Sequence, residues 1–316
     1  MLTYKKAGVN IDLANKFVKF IKKYNPEIGS FSGLYPLNKN VFLSASSDGI
    51  GTKLKLLHKF SKDEIAGIDL VAMNVNDIIC CGAKPLFFLD YFSCSKLDLN
   101  ISKKVIKGII NGCRQADCIL LGGETAEMPG IYKNGDYDLA GFAVGIVHKK
   151  NVIDGSKISN GDIVIGLMSS GPHSNGFSLI RKIFNEIELE KYKNVLLNST
   201  IIYVKQIMDL LKNFKNQIKG ISHITGGGFY DNIERILPEK TEVIIFKNSW
   251  KIPDIFKIIQ SKAKISDREM FRTFNMGIGM VLIVSKNSAY AIHKFLKNSF
   301  IIGEVKYGKN RCVSIR

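Results

Sequence analysis

The amino-acid sequence predicts a mixed α/β (α+β) protein with two domains. Its 316 residues are enough for two domains of ordinary size that each bury a core. Segments with the apolar spacing of a helix alternate with short apolar runs that are typical of buried strands. A turn-rich connection at residues 154–162 separates two such groups of elements. We therefore expect a first domain at residues 1–157 and a second at residues 158–316.

The first domain is expected to alternate between helices and strands. Its first helix shows apolar residues at helical spacing and stops before Pro26, which cannot continue a helix. In chain order the expected elements are a helix at 11–21, a strand at 41–45, a lead-in at 64–69 to an amphipathic helix at 70–81, a strand at 86–92, a helix at 102–113, and strands at 119–121 and 139–147.

The helix at 70–81 and its lead-in carry a polar edge. Asp69 and Asn76 are seven residues apart, so they nearly eclipse one another on a helix, and Asp77 is adjacent. The strand before this helix delivers Asp48 to its C-terminal end. We expect the polar edge to be aimed at one common point.

The second domain places glycines and hydroxyl groups at strand ends, where phosphate groups bind next to helix N-termini. The three stretches that do so are 169–176 (SSGPHSNG), 221–228 (ISHITGGG) and 274–279 (FNMGIG). The expected elements are a strand at 163–168, a helix beginning near Phe177, an irregular surface connection at 185–199, a helix at 229–236 and a strand at 280–284.

The net charge of +17 raises the question of a nucleic-acid partner. Lysine supplies 38 of the 45 basic residues, and the lysines are scattered among Ile and Asn rather than gathered in a stripe. This pattern is typical of a solvated surface, so we expect no nucleic-acid partner, although anionic small substrates would be attracted. The six cysteines form no C-x-x-C pair, and no apolar core follows the first charged residues, so we expect a cytoplasmic protein. No run approaches about 18 apolar residues, so we expect no membrane-spanning helix.

A nucleoside triphosphate site is the most specific signal in the chain. Two glycine turns can expose backbone N–H groups to phosphate oxygens, a lysine can neutralise charge, and carboxylates can hold divalent ions. The glycine spacing fits neither a P-loop nor a dinucleotide-binding loop. The candidate residues are Asp48, Gly49, Gly51, Thr52, Lys53, Asp69, Asn76, Asp77, Gly122, Gly123, Glu124 and Thr125.

Structural roles remain open for several of these residues. Asp48 can be a turn residue in an Asp-Gly pair, and Asp69 can be an N-cap. Asp77 and Glu124 can be solvated carboxylates, although four acids beside glycine turns in a basic chain favour a metal. For His223, a buried structural histidine is nearly as good an interpretation as a substrate contact.

The motifs, taken in order, resemble those of the phosphoribosylformylglycinamidine cyclo-ligase (aminoimidazole ribonucleotide synthetase) family of purine biosynthesis. The segment GGETAEMPG points to this family rather than to thiamine-monophosphate kinase, selenophosphate synthetase or formylglycinamide ribonucleotide amidotransferase, which share the superfamily. The matching segments are residues 4–9, 48–53, 67–73, 85–91, 122–130, 170–176, 225–229 and 272–275.

The resemblance implies a reaction and an architecture. Family members transfer the γ-phosphoryl group of ATP to the formamide oxygen of formylglycinamidine ribonucleotide, and the amidine nitrogen then attacks the activated carbon. The products are aminoimidazole ribonucleotide, ADP and phosphate. The implied fold is a homodimer whose N-terminal domains form a dimer-spanning β-barrel, with a C-terminal α/β sandwich domain in each subunit.

The resemblance also implies roles for single residues. Mg²⁺ would be held by Asp48, Asp69, Asp77 and Glu124, with ATP bound by the triphosphate-site residues above and Lys53 facing its phosphates. His173, Lys53 and Asn175 are the implied catalytic residues. The implied substrate-binding residues are Ser170, Gly171, His173, Ser174, Asn175, His223, Thr225, Gly226, Gly227 and Gly228.

Two segments depart from the family pattern. The glycine-rich loop at 28–33 is shorter and poorer in glycine, and Ser199-Thr200-Ile201 stands where family members usually carry Pro-Thr-Arg. Two alternatives to the cyclo-ligase are a sister ATP-dependent kinase or synthetase, which a substrate panel would separate, and a basic nucleic-acid-binding protein. The latter predicts an affinity that falls steeply with salt.

Overall fold

The computed structural model describes residues 4, 6–25 and 28–316. The motif at 4–9 and the expected helix stop include Lys5 and Pro26, which lie outside the described residues, as do residues 1–3 and 27. Within the described part of the chain, no helix is long and apolar enough to cross a membrane.

The first group of elements contains a five-stranded sheet. In chain order the elements are α1 (Ile11–Tyr24), β1 (Gly33–Pro36), β2 (Val41–Gly49), α2 (Lys53–Lys59), α3 (Asp63–Cys80), β3 (Lys84–Cys94), α4 (Leu99–Gln115), β4 (Ile119–Glu127) and β5 (Tyr137–His148). The strands lie in the order β1-β2-β5-β3-β4, and neighbours are antiparallel except for the parallel pair β3 and β4.

Helix α3 packs against one face of this sheet, and α4 packs against α3. The two helices approach closely because Gly67 and Gly108 face each other: a Cβ on Gly67 would lie 2.1 Å from the Val105 carbonyl oxygen. No helix of the described chain covers the opposite sheet face in the same way, and Phe142 and Ile119 there are 42% and 60% exposed. One face of the sheet is therefore bare and apolar.

The second group of elements contains a six-stranded sheet. Its elements are β6 (Ile163–Met168), α5 (Phe177–Ile183), α6 (Glu186–Leu196), α7 (Val204–Phe214), β7 (Ile218–His223), α8 (Gly228–Glu234), β8 (Thr241–Ile245), α9 (Asp254–Ala263), α10 (Asp267–Thr273), β9 (Ile278–Val284), α11 (Ala289–Phe295), β10 (Ser299–Tyr307) and β11 (Cys312–Ile315). The strand order is β11-β8-β10-β6-β9-β7, antiparallel except for β11 and β8. The predicted mixed α/β fold is confirmed.

Two expectations about local structure are wrong. The segment 185–199 is not irregular, because Asn185 and Glu188 form a reciprocal capping box that starts α6. The segment 122–125 is not a turn but the middle of β4, paired with β3 through the register of Tyr91 with Glu124. By contrast, Gly51 does lie in a turn and has a φ of +68°, a conformation that favours glycine.

Candidate active site

Lys53 and Asp69 form a fully buried ion pair. The Nζ of Lys53 lies 2.7 Å from Oδ2 of Asp69, and neither side chain is exposed to solvent. Lys53 also donates to the carbonyl oxygen of Asn198 at 2.6 Å, and the backbone N–H of Thr200 donates to Oδ1 of Asp69 at 2.6 Å. Burial lowers the pKa of Lys53 and raises the pKa of Asp69, while each partner's charge opposes that shift. The pair joins the first domain to residues 198–200 of the second rather than facing an open phosphate pocket.

Asn76 makes a second contact of the same kind. Its Nδ2 donates to the Ile201 carbonyl oxygen at 2.8 Å, and its Oδ1 accepts from the Tyr203 N–H at 3.0 Å. Both polar atoms of this fully buried side chain are therefore satisfied by backbone groups. The polar edge of α3 does point to one region, as its spacing predicts, but Asp69 and Asn76 use it to hold the segment 198–203.

Asp77 and His223 form a pair next to Asn76. Nδ1 of the fully buried His223 lies 2.8 Å from Oδ1 of Asp77, and Nε2 lies 3.5 Å from Nδ2 of Asn76. The Asn76 amide is a donor, so Nε2 accepts and the imidazole proton sits on Nδ1, directed at Asp77. His223 is therefore a fixed, hydrogen-bonded histidine at the end of β7, beside a partly exposed carboxylate.

Asp48 lies near the Asp77 carboxylate, at the end of β2. Burial and then the negative charge of Asp77 raise the pKa of Asp48 to about 6, while the Gly49 N–H, His223 and Arg235 act in the opposite direction. The N–H of Gly49 donates to Oδ1 of Asp48 at 2.7 Å. Two carboxylates that repel each other in this way form a site that a cation would stabilise.

Glu124 does not join these carboxylates within one chain. The sheet register runs from Asp48 across Gly141 and Asp90 to Gly123, so Glu124 is three strands away, roughly 14 Å at the usual strand spacing. Glu124 follows Gly123 on the same strand, and successive side chains of a strand point to opposite faces. Its side chain is therefore directed to the bare face of the sheet. Among the described residues, no group of three or more His, Cys, Asp or Glu side chains is arranged to hold a metal ion.

The expectation that the four carboxylates form one cluster is therefore corrected for the single chain. Asp48 and Asp77 are neighbours, Asp69 is occupied by Lys53, and Glu124 lies on another face of the sheet. The other residues of its segment, Gly122, Gly123 and Thr125, share the same exposed edge strand. The physical reason is the strand structure of 122–125, whose alternation and register fix the direction of each side chain.

His173 is enclosed and neutral. Its exposed fraction is 1%, and burial, followed by the nearby His223 and Lys53, lowers its pKa well below the usual range. The Ser170 N–H donates to Nε2 at 3.2 Å, so the ring proton is on Nδ1, a buried donor without a partner among the described residues. The residue adopts a left-handed conformation with a φ of +57°. The buried His173 side chain thus accepts a backbone hydrogen bond from within the loop 169–176 and stabilises its conformation.

Asn175 is less buried than His173 of the same loop. The residue is half-buried, but its Nδ2 is a buried atom that has no hydrogen-bond partner in the described structure. A Cβ on Gly226 would lie 3.7 Å from Oδ1 of Asn175, so the side chain sits between the loops 169–176 and 225–228. A donor without a partner between two glycine-rich loops is suited to an anionic or carbonyl-bearing ligand.

The remaining loop residues anchor the backbone. Oγ of Ser170 donates to the Ser199 carbonyl oxygen at 2.6 Å, and the hydroxyls of Ser174 and Thr200 are 3.1 Å apart. The carbonyl oxygen of Gly171 accepts from Nδ2 of Asn275 at 2.9 Å. The loop 169–176 is therefore fixed by neighbouring loops.

Asn232, one turn into α8, orders the loop 225–228 and was not predicted from the sequence. Its Nδ2 lies 2.8 to 3.3 Å from the carbonyl oxygens of Thr225, Gly226 and Gly228. Gly227 and Gly228 have φ values of +95° and +58°, which only glycine adopts easily. Asn232 stands four residues after Gly228, one helical turn on, and that spacing is a signal that could have found it.

Asp90 is a further buried carboxylate that sequence reasoning passed over. It is 7% exposed, and burial raises its pKa. Its carboxylate covers Gly123, where a Cβ would lie 2.3 Å from Oδ1. Glycine at 123 is thus required by the neighbouring strand, which explains it without a phosphate contact.

Comparisons with known proteins decide the family. The AIR synthase related protein family matches through its N-terminal domain at residues 30–147 and its C-terminal domain at residues 159–313. A phosphoribosylformylglycinamidine cyclo-ligase of Clostridium botulinum (strain Langeland) is 48% identical over 100% of both chains. The chain belongs to the phosphoribosylformylglycinamidine cyclo-ligase family. The family is one of ligases, so the prediction of an enzyme is confirmed.

The family likeness extends to plant proteins. The chloroplastic/mitochondrial phosphoribosylformylglycinamidine cyclo-ligase of Vigna unguiculata is 51% identical over 97% of this chain and 82% of its own length. Solved structures share the fold of this cyclo-ligase family member at lower identity. The HypE–HypF complex has a TM-score of 0.69 at 18% identity, covering 96% of this chain and 95% of that one. AaThiL complexed with AMPPCP and TMP has a TM-score of 0.67 at 14% identity, covering 99% and 93%.

Proposed function

We propose that this cyclo-ligase family member closes the imidazole ring of aminoimidazole ribonucleotide from formylglycinamidine ribonucleotide with consumption of ATP. The observation that carries the proposal is the identity of about 50% to phosphoribosylformylglycinamidine cyclo-ligases over nearly the whole chain. Structural neighbours crystallised with AMPPCP or ADP support the use of ATP by this fold.

The reaction asks the protein mainly to position groups and to neutralise charge. The formamide oxygen accepts the γ-phosphoryl group and becomes a good leaving group as phosphate. The amidine nitrogen of the same molecule then attacks the carbon, the bond to phosphate breaks, and the ring closes. Holding both reacting groups in one bound molecule supplies a large effective molarity, and phosphoryl transfer requires mostly electrostatic stabilisation.

Asp48 and Asp77 are the residues that we propose for Mg²⁺. Mg²⁺ is usually bound by one or two carboxylates together with substrate phosphates and waters, so two neighbouring carboxylates are sufficient. The raised pKa of Asp48 beside Asp77 supports the fit, because a cation relieves their repulsion. When bound, the ion would neutralise charge on the triphosphate. Asp69 is left out of this proposal because Lys53 already compensates its charge.

Asn175 and the loops 169–176 and 225–228 form the proposed substrate side. The backbone N–H groups of 225–228 suit a phosphate, and the unpartnered Nδ2 of Asn175, which is buried between the two loops, is the donor proposed for an oxygen of the ribonucleotide. The Asp77–His223 pair connects this side to Asp48. His173 acts in this proposal as a positioning residue, because its ring is enclosed by Ser170, Tyr203 and Gly279.

A homodimer is the proposed assembly. The bare sheet face carries exposed apolar residues, and a contiguous apolar surface of this kind marks an interface. A second copy placed on it would cover the face to which Glu124 points and would complete a barrel from two sheets. A cytoplasmic location and the lack of a nucleic-acid partner stay predictions from composition.

The direct test is to incubate purified protein with ATP, Mg²⁺ and formylglycinamidine ribonucleotide. ADP and the diazo-coupled aminoimidazole product should form in equal amounts. A matched control replaces Asn310 by Ala, an exposed position in the described turn before β11, and should leave both rates unchanged. ADP without the imidazole would indicate another phosphoryl acceptor, and neither product from a folded protein would contradict the proposal.

A further inference from the structure

The end of α4 and the start of β4 are joined by a Schellman motif. The Cys118 N–H donates to the Cys113 carbonyl oxygen at 3.0 Å, and the Asp117 N–H donates to that of Arg114 at 3.4 Å. Asp117 adopts the left-handed conformation of this motif, with a φ of +52°. In a Schellman motif the side chains at the positions of Cys113 and Cys118 usually contact each other, and the contact is usually apolar. Here both side chains are thiols.

The two cysteines differ in access to solvent. Cys113 is 2% exposed, whereas Cys118 is half-buried, and both are free thiols. The interaction between the two thiols is the first cause that lowers the pKa of Cys118 and raises that of Cys113. The accessible member of the pair is thus the one with the greater thiolate character, as in dithiols in which one thiol attacks and the other resolves.

We propose that Cys113 and Cys118 form a reversible intrachain disulfide on reaction with a small-molecule disulfide. The Cys118 thiolate attacks the small disulfide, forms a mixed disulfide and releases one thiolate. That thiolate takes the proton of Cys113, whose sulfur attacks Cys118 and releases the second small thiol. Two protein thiols lose two electrons in total, and one small disulfide is reduced to two thiols.

The linkage would fasten residue 118, directly before β4, to the end of α4; β4 is the strand that carries Gly123 and Glu124. The backbone hydrogen bond between the two cysteines already holds their main chains together, so little rearrangement is needed. The proposal is independent of the proposed reaction because its readout is a peptide mass.

The test uses the full chain, reduced and then incubated with oxidised glutathione. Free thiols are blocked with iodoacetamide, and the protein is digested with trypsin without a reductant. Trypsin cuts after Arg114, between the two cysteines, so a disulfide keeps the peptides 108–114 and 115–133 joined. We expect the joined species to account for most of both peptides and to separate on treatment with dithiothreitol.

Two variants make the result specific. Cys118→Ser, at the half-buried position, should abolish the joined species, whereas Cys312→Ser, at a half-buried cysteine of β11, should leave its yield unchanged. The proposal is overturned if both peptides are recovered fully alkylated from wild-type protein while Cys312 carries glutathione. It is also overturned if the peptide of Cys113 is found joined mainly to that of another cysteine.

Discussion

Replacement of Lys53 by Met separates the two roles that this lysine can have. The structure buries the ammonium against Asp69 and the Asn198 carbonyl oxygen, so its removal leaves a buried carboxylate without a counter-charge, hydrogen-bonded by the backbone and side chain of Thr200. Met has a similar length and fills the space of the lysine stem. The effect of Lys53→Met is therefore that of an unpaired buried charge rather than of a cavity.

The expected loss can be estimated from the burial. Breaking a buried ion pair by removing one partner costs about 3–5 kcal/mol. With an m-value of about 3 kcal/mol/M in urea, the unfolding midpoint should fall by about 1–1.7 M. Adding Asp69→Asn neutralises the stranded carboxylate and should restore at least about 1 kcal/mol of the loss, because the two residues interact directly.

Urea unfolding at one fixed protein concentration measures this effect, with Lys55→Met as the control. Lys55 lies on the same helix, its side chain is 46% exposed, and it pairs with Asp136 at the surface. A surface pair contributes about 0.2–1 kcal/mol, so the midpoint of the control should move by less than about 0.3 M. Equal midpoints for both variants, with a raised KM for ATP only in Lys53→Met, would refute a structural role for the buried Lys53–Asp69 ion pair. They would favour a lysine that faces phosphate.

Three further outcomes are expected. Asn175→Ala should lower kcat by about 10²-fold, the effect of losing one oriented hydrogen-bond donor, and should leave the urea midpoint unchanged. A kcat within twofold of the wild-type value in steady-state kinetics would contradict the proposed substrate contact. Asp48→Asn should raise the Mg²⁺ concentration for half-maximal rate by roughly 10-fold or more, seen in a metal titration, while the elution volume in gel filtration stays that of the wild-type protein. Phe142→Asp should give a folded monomer in sedimentation velocity, because a charge in the proposed apolar interface would be desolvated without a partner. A dimer that persists in this variant would exclude the bare face as the interface.

Sequence periodicity predicted the strands and helices whose formation depends on residues close together along the chain. The strand at 163–168 and the helix that begins at Phe177 lie where their apolar patterns place them. The helix α6 was missed although its signal was present, since Asn185 and Glu188 have the spacing of a capping box. The charged composition of that segment is typical of a surface connection, but the capping box at its start determines a helix.

The site was predicted less completely because strand register and domain contacts are not local properties. Gly122 and Gly123 have the composition of a turn, but pairing with β3 holds them in a strand and directs Glu124 away from Asp48. Lys53 belongs to a motif that resembles a phosphate loop, and its ion pair with Asp69 depends on the packing of α2 on α3. Neither fact can be obtained from spacing along one chain.

The polar edge of α3 determines how the two domains meet. Asp69 and Asn76 hold residues 200–203 by their backbone groups, and the hydroxyl of Tyr203 in turn donates to the Met168 carbonyl oxygen, directly before the loop 169–176. A helix of the first domain thereby helps to fix the position of the loop 169–176 of the second, which we propose for substrate binding. The hydrogen bond that Ile201 supplies to this joint comes from its carbonyl oxygen, which any residue could supply. The departure from Pro-Thr-Arg therefore leaves the backbone hydrogen bonds of the joint intact.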